Sequence, residues 1–451
     1  MFLLSICPQL FINRGGKYFE DYSTPSGIQK NCPTSGGFAA NAFDFDKDGN
    51  LDLIWAEYND KNLFAETVNT AGVLPYNFSN SKNKAKIFLY KGDGQCHFTD
   101  KSSLIPQSKM HGWIFDIGIA DLFQNGNQDI FISADYGINN LLKYDTKEKS
   151  WFDESELLNK PSISRNNMGV ILSDVNHDKI SNVFVPSIFQ NREKVFGNLL
   201  WKYNKNSNDF SENGVKYNIL NCGWAWGAQF IDLNNDTWDD LVVVNGMVGD
   251  GTKKSYWYNL SVLDAAGKGF MSDAKNWPDM NNFDLDGGQV DCIFLNQGKN
   301  KPFLDATGST IFDRDRKNGR GIAYIDINND GIYSLVVANQ NDISHIYKVV
   351  PTKPFNWIGL SLIGYKNNSA AYGAKVYWKL SDGTESFKEM RPIQGISSQN
   401  DPRFRLGFPK NLSLVELYVV WLDGKKEVLD LKSLKLNNYN TIKKGDWFEK
   451  K

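Results

Sequence analysis

Apolar, β-branched and aromatic residues recur along this chain in runs of about four to eight, each bounded by glycine, asparagine or aspartate. No stretch sustains a 3.6-residue apolar period, so the runs predict strands. Between pairs of them sits a short acidic loop, and its fullest copy reads Asp44-Phe-Asp46-Lys-Asp48-Gly49-Asn50-Leu-Asp52. Further copies start at Asp121, Asp174, Asp232 and Asp326. Ahead of each loop stands a glycine with an aromatic or aliphatic strand, as in Gly112-Trp-Ile-Phe and Gly223-Trp-Ala-Trp. Behind it follows a β-branched run such as Leu241-Val-Val-Val-Asn245, then an apolar triplet, a turn and an aromatic near an acid, as from Ile87 to Asp100. Four short strands repeated in this way predict an all-β fold, a β-propeller.

Roughly 350 residues at about 50 per blade predict seven blades, five of them marked by a countable acidic loop. The stretch Asp284-Leu-Asp-Gly-Gly-Gln-Val-Asp291 reads as a hidden blade, and a half-unit from Leu10 to Asp21 opens the chain. Insertions between about Ala56 and Lys86, and between Gly246 and Asn282, predict loops on one face, where binding surfaces usually lie. After Val350 the acidic loops stop, and strand-like runs at Pro354–Gly364, Ala374–Trp378 and Ser413–Trp421 predict a separate, small antiparallel β module. The expected domains are therefore 9–350 and 354–445. Pro351 and Pro354 stiffen the short link between them, which predicts a docked module.

The loops suggest metal chemistry. Hard divalent cations, Ca²⁺ above all, take six to eight oxygen ligands, and a tight turn with carboxylates at alternate positions supplies them. At the first loop the candidate ligands are Asp44, Asp46, Asp48, the carbonyl of Asn50, and Asp52. The second-best set is Asp232, Asn234, Asp236, the carbonyl of Trp238, and Asp240. Asp326, Asn328, Asp330 and the carbonyl of Ile332 form a third, ending in Ser334 where an acid is expected. Asp174, Asn176 and Asp178 are followed by Lys179 in place of glycine, and by Asn182. Asp121, Asn125 and Asp129 have Phe123 at the third position. Several bound Ca²⁺ ions are expected. The competing reading is of polar turns held by Asx-type hydrogen bonds without metal.

The chain resembles the FG-GAP/VCBS-repeat propellers that end in an ASPIC/UnbV domain, the group that includes cartilage acidic protein and bacterial UnbV-type proteins. The acidic loops, Asn356-Trp-Ile-Gly-Leu360, Tyr372-Gly-Ala-Lys-Val376 and above all Ser398-Gln-Asn-Asp-Pro-Arg-Phe-Arg-Leu-Gly407 carry the resemblance. It implies a seven-bladed, integrin-like propeller with Ca²⁺ in its loops, and export to an extracellular or periplasmic compartment. Phe123, Lys179 and Ser334 depart from the family pattern.

Composition narrows the remaining choices. With 451 residues, 41% apolar and 14% aromatic, the chain can bury a large core. Its net charge of −2 gives no overall field toward nucleic acid or membrane. The charge is uneven, with 16 basic and 10 acidic side chains from Pro354 onward against 34 and 42 before it. Five cysteines contain no Cys-x-x-Cys; Cys7 and Cys32 can pair, and buried thiols are the alternative. His97, His111, His177 and His345 have no zinc spacing, and no nucleotide or nucleophile motif appears. No apolar run is long enough to span a bilayer, and Met1–Cys7 lacks the basic region of a signal peptide. Two functions fit. One is a monomeric, Ca²⁺-stabilised module that binds a protein, glycan or small molecule. The other is an enzyme of secondary metabolism, as the UnbV resemblance implies, with its pocket in the channel or at the domain junction. Candidate ligand contacts are Arg391, Asp401, Arg403 and Arg405, with Trp224 and Trp226 as channel aromatics. A turn-holding Asp401–Arg403 salt bridge and core tryptophans are the structural alternatives.

Overall fold

The computed structural model describes residues 2–3, 7–31, 37–59, 85–110, 112–158, 166–189, 197–265, 273–391 and 393–445. Cys32, His111, Pro392 and most of the first insertion lie outside the described residues. Each acidic loop joins the first two strands of one antiparallel sheet. Gly37–Phe43, Asp52–Glu57, Ile87–Gly92 and Phe98–Asp100 form the first sheet, and the second runs from Trp113–Ala120 to Ser150–Asp153. The third spans Ile171–Ser173 to Asp209–Glu212 and the fourth Ala225–Ile231 to Leu304–Asp305; Gly319–Ile325, Ser334–Asn339 and His345–Lys348 make the three-stranded fifth. A sixth sheet, Phe2–Leu3, Gln9–Asn13 and Phe19–Asp21, meets the first through Leu10, and the 3-10 turn Ile28–Asn31 that follows it adds Ile28 to the same cluster with Trp55 and Tyr90. No further sheet of this kind occurs among the described residues.

The arrangement is propeller-like, because the innermost strand of each sheet packs against that of the next, from Gly37–Phe43 round to Gly319–Ile325. The apolar clusters lie between neighbouring sheets. Phe43, Ile54 and Leu89 meet Ile117 and Ile130 between the first and second, and Val242 and Val244 meet Ile322 and Val337 between the fourth and fifth.

The Asp284–Asp291 stretch is not a blade. Phe283–Asp284 pairs in parallel with Lys254–Ser255, inside the excursion between the second and third strands of the fourth sheet. That excursion is also more than a loop. It contains the helix Tyr256–Ala265, whose Tyr256 and Leu260 pack on Trp113 and Tyr136 at the end of the inner strands opposite the acidic loops.

The C-terminal module is a sandwich of two sheets. Phe355–Ile363 pairs antiparallel with Phe404–Pro409 but parallel with Tyr439–Lys443, so the module is not wholly antiparallel. Glu385–Glu389, Lys375–Leu380, Leu414–Val420 and Lys426–Val428 form the other sheet. Leu360, Trp378, Phe408, Val419 and Trp421 fill the space between them. Cys222 and Cys292 form a disulfide that ties the approach to the fourth sheet to its third strand, a pairing the sequence did not reveal. Cys7 is disulfide-bonded as well, and Cys96 is free.

Candidate functional site

The five loops share one backbone plan. The carboxylate at position one accepts N–H bonds from positions five or six, as in Gly49 to Asp44 (2.9 Å), Thr237 to Asp232 (3.1 Å) and Gly331 to Asp326 (2.9 Å). The side chain at position five accepts from position seven, as Asp48 does from Asn50, Asn125 from Asn127 and Asp330 from Ile332. Position six is left-handed in every copy, at φ 87° in Gly49 and 75° in Gly331 but also at 67° in Lys179 and 79° in Thr237. The Asx-turn chemistry foreseen as an alternative is therefore present throughout.

Position nine has a job of its own. Asp52 accepts Phe45 N–H on one oxygen and Gly92 N–H on the other, so it staples the loop to the third strand. Asp129 does the same with Leu122 and Tyr144, and Asp240 with Leu233 and Asn296. Burial pushes the carboxyl of Asp52 up to about 8 and that of Asp129 to about 7.

Carboxylates converge at the first loop. Ligand oxygens of Asp44, Asp46 and Asp48 lie within 4.8 Å of one another, a group that does not include Asp52. Asp44 Oδ1 is buried without a hydrogen-bond partner. Burial, with Asp48 and Asp46 nearby, pushes the Asp44 carboxyl up to about 6. An orphaned buried oxygen beside two further carboxylates fits a hard divalent cation. Lys91 of the third strand, which no local motif marks, pairs its ammonium with Asp46 and with Asp48 at 3.0 Å. Lys202 holds the same place in the third sheet and pairs with Asp178, while Lys143 in the second lies 4.7 Å from the centre of the Phe123 ring. Aligning the third strands on these lysines is the signal that could have found them.

Every acidic loop also touches the C-terminal module. Gly49 O accepts N–H bonds from Asn367 and Asn368. Lys375 places its ammonium 2.6 Å from Asp121, and Ser386 donates to Asp174 at 2.6 Å. Beside the fourth loop Lys388 pairs with Asp239 at 2.8 Å, and the Trp238 ring stacks on His177 at 3.7 Å. At the fifth, Tyr439 donates to Asp326 at 2.8 Å, whereas Asn328 and Asp330 are exposed. Asp401 and Arg403 form the two-bonded salt bridge foreseen as an alternative, and they do more. Arg403 also reaches Asp326 O and Asn329, and Asp401 N–H bonds to Tyr324 O.

Between these contacts one segment of the module crosses the centre of the sheet assembly. Asn41 of the first sheet donates to Ile393 O, and Ile396 packs on Phe115 and Met168 of the second and third. Gly395 N–H reaches Val170 O, Gln229 of the fourth donates to Gln394 O, and Tyr324 N–H of the fifth bonds to Asn400. Trp226 flanks this plug, with the Arg320 guanidinium 4.2 Å from its ring centre, while Trp224 packs on Trp257 of the insertion helix.

Beside the plug, at the junction of module and sheets, lies a cavity of about 60 Å³. It gathers all four candidate ligand residues, Arg391, Asp401, Arg403 and Arg405, with Lys388 and the rings of Tyr324 and Tyr333. Arg405 is 3% exposed and lies over Tyr333 at 4.6 Å.

Residues 364–447 match the family model described as "ASPIC and UnbV". The C-terminal module is an ASPIC/UnbV domain. No curated protein matches the chain. Among solved structures, the crystal structure of the Saccharomyces cerevisiae Sqt1 aligns over 90% of this chain and 85% of its own, at 7% identity and a TM-score of 0.33. So loose a likeness carries no argument about fold or function. Among the described residues no helix is long and apolar enough to cross a membrane.

Proposed function

We propose that the protein is a Ca²⁺-stabilised binding protein of an extracytoplasmic compartment, in which an FG-GAP-type propeller and the ASPIC/UnbV domain together hold a ligand. The observation that carries this reading is the junction cavity, where charged side chains of both parts converge with hydrogen-bonding capacity unspent. Buried polar groups are normally satisfied, and those that are not point to an occupant. Asp44, Asp46 and Asp48 would hold a Ca²⁺ ion in the first loop, where the ion neutralises three carboxylates and fixes the turn between two strands. The Cys222–Cys292 disulfide supports an oxidising compartment.

Two measurements test this. Metal analysis of the purified chain should return Ca²⁺, and EGTA should lower the melting temperature. Binding of glycans, peptides and small molecules should then be lost in Arg403→Glu, with Ca²⁺ content unchanged. A metal-free chain whose stability ignores Ca²⁺, or ligand binding indifferent to Arg403, defeats the respective half of the reading.

A further inference from the structure

The cavity lining is unbalanced. Lys388, Arg391, Arg403 and Arg405 supply four positive charges, and Asp239, Glu389 and Asp401 supply three negative ones. Lys388 pairs with Asp239 at 2.8 Å, Arg403 with Asp401 at 2.6 Å, and Arg391 stands 3.7 Å from Glu389. Arg405 forms no salt bridge among the described residues. The next carboxylate, Asp232, feels the charge of Arg405 without a salt bridge to it and accepts the N–H groups of Asp236 and Thr237. Hydrogen bonding is unbalanced in the same direction. Arg391 Nε and Nη1 and Arg405 Nε are buried donors without partners. Asp239 Oδ1 is taken by the Lys388 ammonium, and Glu389 Oε2, a buried acceptor without a hydrogen bond, already faces Arg391.

Water can fill such a space without meeting this need. At about 10–15 Å³ of such volume per molecule, a cavity of about 60 Å³ has room for a few waters or one small ion. Water satisfies N–H donors but leaves the buried Arg405 guanidinium with no anion in direct contact, which is costly. An oxoanion does both, because its oxygens accept charge-assisted bonds from a guanidinium fork. We propose that the junction cavity is a binding site for a small oxoanion, a carboxylate or a phosphate, held between Arg391 and Arg405. The proposal rests on the reading of the junction as a ligand site and names the chemistry of what it takes. Tyr324 and Tyr333 supply the wall, and Arg405 lies over the Tyr333 ring in a geometry that favours the cation. Since the lining comes from the ASPIC/UnbV domain on one side and the third, fourth and fifth sheets on the other, the bound anion also joins the two.

The test uses the full-length, Ca²⁺-loaded protein. Calorimetric titration and thermal melts are run with sodium acetate, sodium phosphate and sodium chloride at matched ionic strength, on wild type, Arg405→Met and Arg391→Met. Saturable binding of acetate or phosphate, absent with chloride and at least tenfold weaker in both variants, is the expected result. Acetate alone marks a carboxylate site, and phosphate alone a phosphate site. Circular dichroism and the rate of proteolysis near Lys348–Lys353 check that each variant keeps its fold and docking. Should one variant fail to fold, the other carries the comparison, with Arg405→Lys as the conservative control. Melts that treat all three salts alike, or binding that survives in both variants, overturn the proposal. In that case binding of a larger ligand that still depends on Arg403 leaves the junction reading standing.

Discussion

The Lys375 ammonium of the ASPIC/UnbV domain lies 2.6 Å from the Asp121 carboxylate at the head of the second acidic loop, with side chains only 17% and 9% exposed. Burial opposes the charge on Lys375, but Glu389 and Asp121 outweigh it and hold its pKa above the ordinary value. Removing one partner leaves a buried charge uncompensated. Lys375→Met should therefore cost about 3 kcal/mol in urea unfolding, and Lys375→Met with Asp121→Asn much less than either change alone implies. A double-variant cost equal to the sum of the two single costs would show that the pair is not coupled.

A divalent cation bound in the first loop would compete with Lys91 for Asp46 and Asp48. Lys91→Met should raise Ca²⁺ affinity about tenfold or more, since an ammonium no longer has to be displaced. Asp44→Ala should abolish the effect of EGTA on the melting curve, and Asp121→Ala should leave it intact. Isothermal titration with Ca²⁺ reads all three, and unchanged affinity in Lys91→Met would remove the competition.

Thr237 occupies the left-handed position that glycine fills in three of the five loops, at φ 79°. A β-branched residue there is strained by about 1–2 kcal/mol. Thr237→Gly should stabilise the protein by about 1 kcal/mol after glycine's entropic cost. The backbone carbonyl that faces His177 Nε2 at 3.2 Å is retained. Chemical denaturation at neutral pH decides it, and a loss of stability would mean that the Thr237 side chain makes contacts worth more than the strain.

Asp116 is a buried carboxyl pushed by its burial from 3.8 up to about 6, while accepting Val170 N–H at 2.7 Å and Ile117 N–H at 2.9 Å. Between about pH 4 and 6 the folded chain keeps a proton that the unfolded chain has released. This group therefore favours folding at the acid end, and its contribution fades as pH rises through 6. Relative to Asp116→Asn, the wild type should lose about 2–3 kcal/mol between pH 4 and 7. The difference between the two unfolding curves measures it, and a pH-independent difference would rule the titration out.

Much of the architecture was legible because a strand period of two and a repeated loop leave their mark on local sequence. The five loops, their order and the change of pattern after Val350 could all be seen in that way. The fate of Asp52 and Asp240 could not. Both look like ligands from spacing alone, and only the register of the third strand shows their oxygens meeting Gly92 and Asn296 N–H. Asp284–Asp291 misled for a related reason, since its acids and glycines imitate a loop without the flanking strands. Arg391, Asp401, Arg403 and Arg405 stand out in the sequence as charges close together, and the cavity brings them together. What they face, Tyr324, Tyr333 and Asp239, comes from elements 58 or more residues away, where no local pattern points.

Asn41 and Ile393 meet across 352 residues, and Gln229 and Gln394 across 165. A ribosome delivers the five sheets before the plug, so the buried side chains of Asn41 and Gln229, bonded within the sheets to Ile117 O and Ile322 O, must wait for the plug to complete their contacts. Contacts so distant in sequence form slowly, and an intermediate that awaits them exposes apolar and polar surface alike. Chains cut short before Ile393 should therefore accumulate as aggregation-prone species, recognised by chaperones and proteases while their sheets are already formed. The step to watch in its folding is thus the arrival of the segment that all five sheets share.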